Sequence, residues 1–305
     1  MGGSSGRLSY RNDSSSLKDI ENRKSETDYA SEVSQIIKDV LKIFNDRDTE
    51  SINKHIEEVE KILSKDIEEF VDMRFGGSVS KHSYVDGLSD IDILVNVANT
   101  EYANKTPQEL ISDFTKLIKQ RFPNTEVTQG KMAVTIKYSD GCELQLLPTL
   151  KTTTGIRIAN AEGNGWSNVV KPQKFAEKLT EINNKCSGRV VPVIKLFKGM
   201  QSSLPQDIQL SGYHIESLAV NAFKSYSDNL NPKDMLKHLC RYVANNVKNP
   251  VADSTGQSVH VDDKLGKSNS ESRQKISHQF ERLSNKLDSA DNKKDSSIWD
   301  NLLNG

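Results

Sequence analysis

Cysteine is scarce in this chain. Cys142, Cys186 and Cys240 lie far apart and form no C-x-x-C pair, which argues against a zinc centre or a disulfide framework and leaves three ordinary thiols of a reducing compartment. Histidine offers no alternative, since His82, His214 and His260 fall at no metal-ligand spacing. Net charge is missing too: 41 Lys and Arg face 42 Asp and Glu. A general nucleic-acid coat is basic overall, so no stable nucleic-acid partner is expected. No apolar run approaches the length of a membrane span. The opening MGGSSGRLSYRNDSSS lacks the apolar centre of a signal peptide, and a soluble cytoplasmic protein with no membrane partner is expected. Residues 1–16 are assigned no fold role, either as a disordered native tail or as an artificial extension.

The 305 residues are enough for one large domain or for two lobes around a cleft. Apolar residues recur at helical spacing over 17–47 and 49–70, as in Val33, Ile36, Ile37, Val40, Leu41 and Phe44. Residues 90–97, DIDILVNV, alternate and then turn apolar, predicting a strand with one buried face. Thr106 and Pro107 open a helix over 107–122. Strands are predicted at 126–129, 131–138 and 142–147, with Asp140-Gly141 as a hairpin turn. From Pro172 onward the pattern is helical, at 172–186, 188–202, 211–226, 232–246 and 271–290, broken by a polar loop over 249–270. Residues 171–250 carry 12 basic and 6 acidic residues, a local excess suited to phosphate. The expected organisation is a sheet lobe with N-terminal helices over 17–170 and a helical lobe with a flexible C-terminal tail over 171–305.

The chemistry concentrates in FGGSVSKHSYVDGLSDIDILVNV, residues 75–97. Residues i and i+2 of a strand point the same way, so Asp90 and Asp92 face one site while Ile91 and Ile93 enter the core. Two carboxylates that close are costly without a cation between them, and Mg²⁺ prefers such oxygen ligands. A Gly-Gly-Ser stretch, Gly76 to Ser78, stands before Asp90 with eleven residues between. Gly77 permits positive φ and close backbone approach, and Ser78 adds a hydroxyl for a phosphate. No Gly-Lys-Ser/Thr follows, so this is not a P-loop. Taken alone, a D-x-D is usually a solvated pair and a G-G-S an ordinary loop; their combination is far more specific.

That combination of Gly77, Ser78, Asp90 and Asp92 resembles the signature of the polymerase-β-like nucleotidyltransferase superfamily. The segments NGWSNVVKPQKFAEKLTEIN, VVPVIKLFKGMQ and LSGYHIESLAVNAF, with NPVADSTGQSVHVDDKLG and SSIWDNLLNG, are similar to the helical lobe of the bacterial cGAS/DncV-like nucleotidyltransferases (CD-NTases) of the CBASS antiphage systems. The resemblance covers about residues 30–305 and implies an α+β fold: a polymerase-β-like sheet lobe and a helical C-terminal lobe with the active site in the cleft between. It implies two Mg²⁺ ions, with Mn²⁺ as a substitute, and transfer of a nucleotidyl group from an NTP to a hydroxyl. The implied product is a cyclic di- or trinucleotide second messenger that acts on a downstream effector. It further implies that ubiquitin-like machinery joins Gly305 to other proteins.

One position departs from the pattern. The superfamily takes a third acid from a neighbouring strand ending in proline, and here CELQLLPTL puts Gln145 at that place. Glu143 shares its strand face and is the candidate third metal ligand; the competing reading makes it a rim residue. Lys195 and Lys198, three apart on one helix, are candidate phosphate partners, against a solvated helix face. Ser211 is placed to cap the next helix and reach a phosphate. Tyr213 is a candidate base platform, against a core tyrosine. Trp166 and Trp299 read as packing anchors. Two rivals stand beside the cyclic synthase: a linear oligonucleotide or RNA-adding enzyme of the same superfamily, and a non-catalytic nucleotide-binding module, which Gln145 favours.

Overall fold

The structure is a computed structural model, and it describes residues 14–46, 48–66, 72–86, 88–97, 104–160, 163–253 and 260–304. Most of the expected N-terminal tail, the end of the helix expected over 49–70, the centre of the 249–270 loop and Gly305 lie outside the described residues.

The sheet lobe begins with α2 (Thr49–Asp66), which follows α1 (Ser14–Asn45). Then come β1 (Asp72–Phe75), the single turn α3 (Gly77–Ser80), β2 (Ile91–Asn96) and α4 (Pro107–Arg121). The strands β3 (Glu126–Gln129), β4 (Val134–Lys137), β5 (Glu143–Lys151) and the short β6 (Ile156–Arg157) complete it. Sheet order is β1-β2-β5-β4-β3, with β6 paired to β5. Pairing of β2 with β5 is parallel and the other pairings are antiparallel. The sequence missed β1 and β6, which have four and two residues, too few to show a period.

Alternation along β2 decides what faces where. Ile91, Ile93 and Val95 are buried with Leu144 and Leu146 of β5, and α2 and α4 cover them through Val59, Leu63, Leu110, Ile111 and Phe114. Thr106 starts α4 with a capping box, its hydroxyl accepting from the Glu109 N–H while Glu109 accepts from the Thr106 N–H. The other face of β2 presents Asp92, Leu94 and Asn96 toward the second lobe.

That lobe is helical: α5 (Pro172–Lys185), α6 (Val190–Ser202), α7 (Gly212–Phe223), α8 (Pro232–Asn246), α9 (Glu271–Lys293) and α10 (Ser297–Leu303). Its core gathers Phe175, Phe197, Phe223, Leu239, Phe280 and Trp299. Two expectations change here. The N-terminal helices do not both belong to the sheet lobe: Tyr29, Val33, Ile37 and Val40 of α1 are buried in the helical core, and only α2 serves the sheet. The polar stretch after residue 290 predicts a flexible tail; instead Lys294 turns the chain at φ +53° and α10 packs back. Trp299 is fully buried and its Nε1 donates to the Tyr29 hydroxyl at 2.9 Å, so packing of one large ring outweighs the polar run before it. No described helix is long and apolar enough to cross a membrane.

Candidate active site

A cleft of about 600 Å³ opens between the lobes. Gly77, Ser78, Asp90 and Asp92 line it from the sheet, and Lys198, Gly212, Tyr213 and Glu216 from the helices. The turn at α3 is tied to β2, for the Gly76 N–H donates to the Asp92 carbonyl at 2.8 Å. Gly77 takes φ +45°, and a Cβ added there would stand 1.6 Å from Asp92 Oδ2. Glycine is required twice over, by the backbone and by the carboxylate packed against it.

Asp90 and Asp92 sit on the same side of the strand start, Asp90 more exposed and Asp92 partly buried. Burial raises the Asp90 carboxyl. Burial first, and then the Asp90 charge, push Asp92 up to about 6, against the opposing pull of Lys81. Parallel pairing sets Gln145 level with Asp92, and the Gln145 side chain donates from Nε2 to Asp90 Oδ2 at 2.6 Å. An amide therefore fills the strand position where the resemblance implies an acid.

Opposite the aspartates lies a buried charge cluster. Glu216 of α7 is 1% exposed and accepts from Lys81, from the Ser83 hydroxyl and from Lys198 Nζ at 3.0 Å. Lys198 also donates to the Ser83 carbonyl at 2.9 Å. Burial works to raise Glu216, but Lys81 and Lys198 overcome it and hold the carboxyl below its ordinary value. Burial lowers Lys198 despite Glu216. The cluster joins the segment after α3 to the helical lobe, so the Gly77 turn and α7 are held together by charge.

Ser211 is the N-cap of α7, its hydroxyl accepting from the His214 N–H at 3.3 Å. Gly212 and Tyr213, rather than Ser211, line the cleft. Tyr213 packs edge-on against Phe175, with ring centroids 4.7 Å apart, and donates to Asp253 Oδ1 at 3.1 Å. Its ring is packed on Phe175 and also lines the cleft.

Besides Ser211, two more expected residues are not brought to the cleft. Lys195 donates to Asn45 Oδ1 at 2.5 Å, on the end of α1. Three residues leave two side chains about 60° apart around a helix, enough for Lys198 to enter the lobe junction while Lys195 stays outside. Glu143 opens β5 opposite Lys137 and does not line the cleft. It lies one pleat repeat before Gln145, roughly 7 Å along the strand. Among the described residues no group of three His, Cys, Asp or Glu side chains is placed to hold a metal.

Sequence reasoning missed Lys81, Ser83 and Glu216. Glu216 did carry a signal: it is the lone acid in the apolar run GYHIESLAV, and a charge there must be paired. Lys81 and Ser83 carried none, since loop residues between two motifs read as spacer.

The donor set fits a divalent cation. Two carboxylates share one face, one of them raised partly by the other's charge, and a hard cation relieves that repulsion through oxygen ligands.

Residues 28–183 match the family model for the Second Messenger Oligonucleotide or Dinucleotide Synthetase domain, SMODS. No curated protein matches the chain. Among solved structures, CdnC of E. coli MS115-1 with ATP is 13% identical with a TM-score of 0.69, over 88% of this chain and 95% of that one. The STING-associated CdnE c-di-GMP synthase of Capnocytophaga granulosa is 20% identical with a TM-score of 0.59, over 83% and 87%. DncV cyclic AMP-GMP synthase of Vibrio cholerae, with a linear intermediate, is 16% identical with a TM-score of 0.62, over 95% and 90%. These likenesses establish the fold, a polymerase-β-like sheet lobe joined to a helical lobe, as the resemblance implied. The family model spans just over half of the chain, and the chain belongs to the Second Messenger Oligonucleotide or Dinucleotide Synthetase family of nucleotidyltransferases.

Proposed function

We propose that the protein joins NTPs into a cyclic di- or trinucleotide second messenger, in an Mg²⁺-dependent reaction that serves antiphage defence in the bacterial cytoplasm. The observation that carries this reading is the pairing of Asp90 and Asp92 on one strand face, beneath the Gly77 turn and across the cleft from Lys81 and Lys198. Two acids face a glycine turn, with cations on the far wall.

In the reaction a ribose hydroxyl of one nucleotide attacks the α-phosphorus of another. A P–O bond forms, the bond to pyrophosphate breaks, and the hydroxyl proton leaves to solvent. A second transfer closes the ring. Asp90 and Asp92 would hold the divalent ion, with phosphate and water supplying its other oxygens; when bound, the ion polarises the attacking hydroxyl and neutralises the leaving pyrophosphate. Gly77 and Ser78 seat the triphosphate. Lys81 and Lys198 set a positive potential behind it, with Glu216 fixing their positions. Tyr213 offers its ring to a base.

The related structures support the substrate class. CdnC was solved with ATP, and CdnG of Bradyrhizobium diazoefficiens with GTP. CdnC was also solved in complex with a HORMA protein, and a downstream effector for the product and conjugation through Gly305 belong to the same proposal. Because the family is one of synthetases, the non-catalytic reading is set aside. Incubation with NTPs and Mg²⁺ should release pyrophosphate and leave a product that phosphatase cannot shorten. A phosphatase-sensitive product would establish the linear synthase instead, and no pyrophosphate with any NTP pair would overturn both.

A further inference from the structure

The face of β2 that carries Asp92 continues to Leu94 and Asn96, and Asn96 pairs with Thr149 across the parallel register. At this end of the sheet lies a second cavity, of about 710 Å³, closed on its far side by the start of α5. It is larger than the catalytic cleft and separate from it. The turn α3 divides them: Gly77 and Ser78 line the cleft, and Ser80 lines the cavity.

Two of its polar atoms are unaccounted for within the protein. Thr149 is 1% exposed, and its Oγ1 has no hydrogen-bond partner. Asn96 Oδ1, beside it, is buried and unpartnered as well. A folded chain rarely leaves such groups unpaired, because each loses its water without compensation. Around them stand Arg74, Lys151, Lys171 and Lys174, against Glu177 as the acid among the described lining residues. Lys171, Pro172 and Gln173 begin α5, a helix of 14 residues whose first N–H groups receive no side-chain cap from the N-cap position, so the helix end adds positive potential toward the same space. The wall opposite is apolar: Phe75 of β1 is 41% exposed and lines the cavity with Leu94 and Ile156.

We propose that this cavity is a second ligand site, outside the catalytic cleft, for a small molecule that joins a flat aromatic ring to a phosphate. The phosphate meets the lysines and the start of α5, the Thr149 hydroxyl donates to it from inside, and the ring lies on Phe75. Nothing in this assignment depends on the reaction proposed for the cleft.

Calorimetric titration of the full chain in EDTA, with phenyl phosphate and with inorganic phosphate, tests it. Phenyl phosphate should bind about tenfold more tightly than inorganic phosphate, the margin of a stacked ring. Lys151→Glu with Lys174→Glu should weaken phenyl phosphate at least about tenfold, and Phe75→Ser should remove the preference for the ring. Thr149→Val should raise the Tm of the free protein while weakening the probe. Lys81→Ala, in the cleft, should leave the titration unchanged. The proposal is overturned if wild type takes up no phenyl phosphate, or if Lys81→Ala abolishes binding that the double lysine variant retains. A Thr149→Val protein that gains Tm with its affinity unchanged also overturns it, since the hydroxyl is then only an imperfection of packing.

Discussion

Gln145 donates its side-chain amide to Asp90 Oδ2 across 2.6 Å, from the strand position level with Asp92. A neutral donor thus holds one of the two acids and leaves the site with two carboxylates. Replacing it with an acid removes that bond and adds a third negative charge. Gln145→Asp should lower the Tm without metal at pH 8, and Mg²⁺ should restore it. The Mg²⁺ concentration for half-maximal pyrophosphate release should fall several-fold. An unchanged metal requirement would show that position 145 has no access to the ion.

Gly77 is the second sensitive point. Its φ of +45° and the 1.6 Å approach of a new Cβ to Asp92 Oδ2 leave no room for even a methyl group. Gly77→Ala should cost about 1–3 kcal/mol from backbone strain alone, read as a lower denaturation midpoint. Pyrophosphate release should fall further than the loss of folded protein explains, because Asp92 must move. A variant with normal Tm and normal turnover would place the triphosphate turn elsewhere.

Asp92 predicts a pH dependence. Burial, and then Asp90, raise its carboxyl from 3.8 to about 6. A raised acid contributes stability below its ordinary value and loses it as pH rises through the folded value. Asp92→Asn cannot ionise, so it should match wild type near pH 4 and exceed it at pH 8 by on the order of 1–3 kcal/mol. At pH 8, Mg²⁺ should raise the Tm of wild type and not that of Asp92→Asn. Thermal melts across that range decide the matter; parallel curves would mean that Asp92 is not raised in the free protein.

The Glu216 cluster predicts a stability defect larger than its exposure to the cleft implies. Glu216→Gln leaves Lys198 and Lys81 without their buried counter-charge, and breaking such a pair costs roughly 3–5 kcal/mol. Glu216→Gln with Lys198→Met should recover part of that loss, because the uncompensated charge goes with the lysine. Denaturant melts of the single and double variants give the coupling. Additive losses would mean that the cluster is wet and weakly coupled.

Much of the fold was legible because periodicity is a property of the chain itself. The helices from Pro172 onward and the strand after Asp90 follow from spacing and caps. What stayed hidden depends on contacts distant in sequence. The destination of α1 is set by burial of Tyr29, Val33, Ile37 and Val40 in the helical core, with a Tyr29–Trp299 hydrogen bond across 270 residues, and no local window contains either. Within the site, Gly77, Asp90 and Asp92 were readable because their residue types and spacing are constrained by chemistry. Lys195 and Lys198 were both candidates, and the packing of α6 separates them. Lys81 and Ser83 became visible once α7 brought Glu216 to them.

The most direct test is the location of the metal. Crystals grown with Mn²⁺ and a non-hydrolysable ATP analogue should show anomalous density between the carboxylates of Asp90 and Asp92, with the triphosphate against Gly77 and Ser78. Density placed away from both aspartates, with the nucleotide bound elsewhere, would contradict the account.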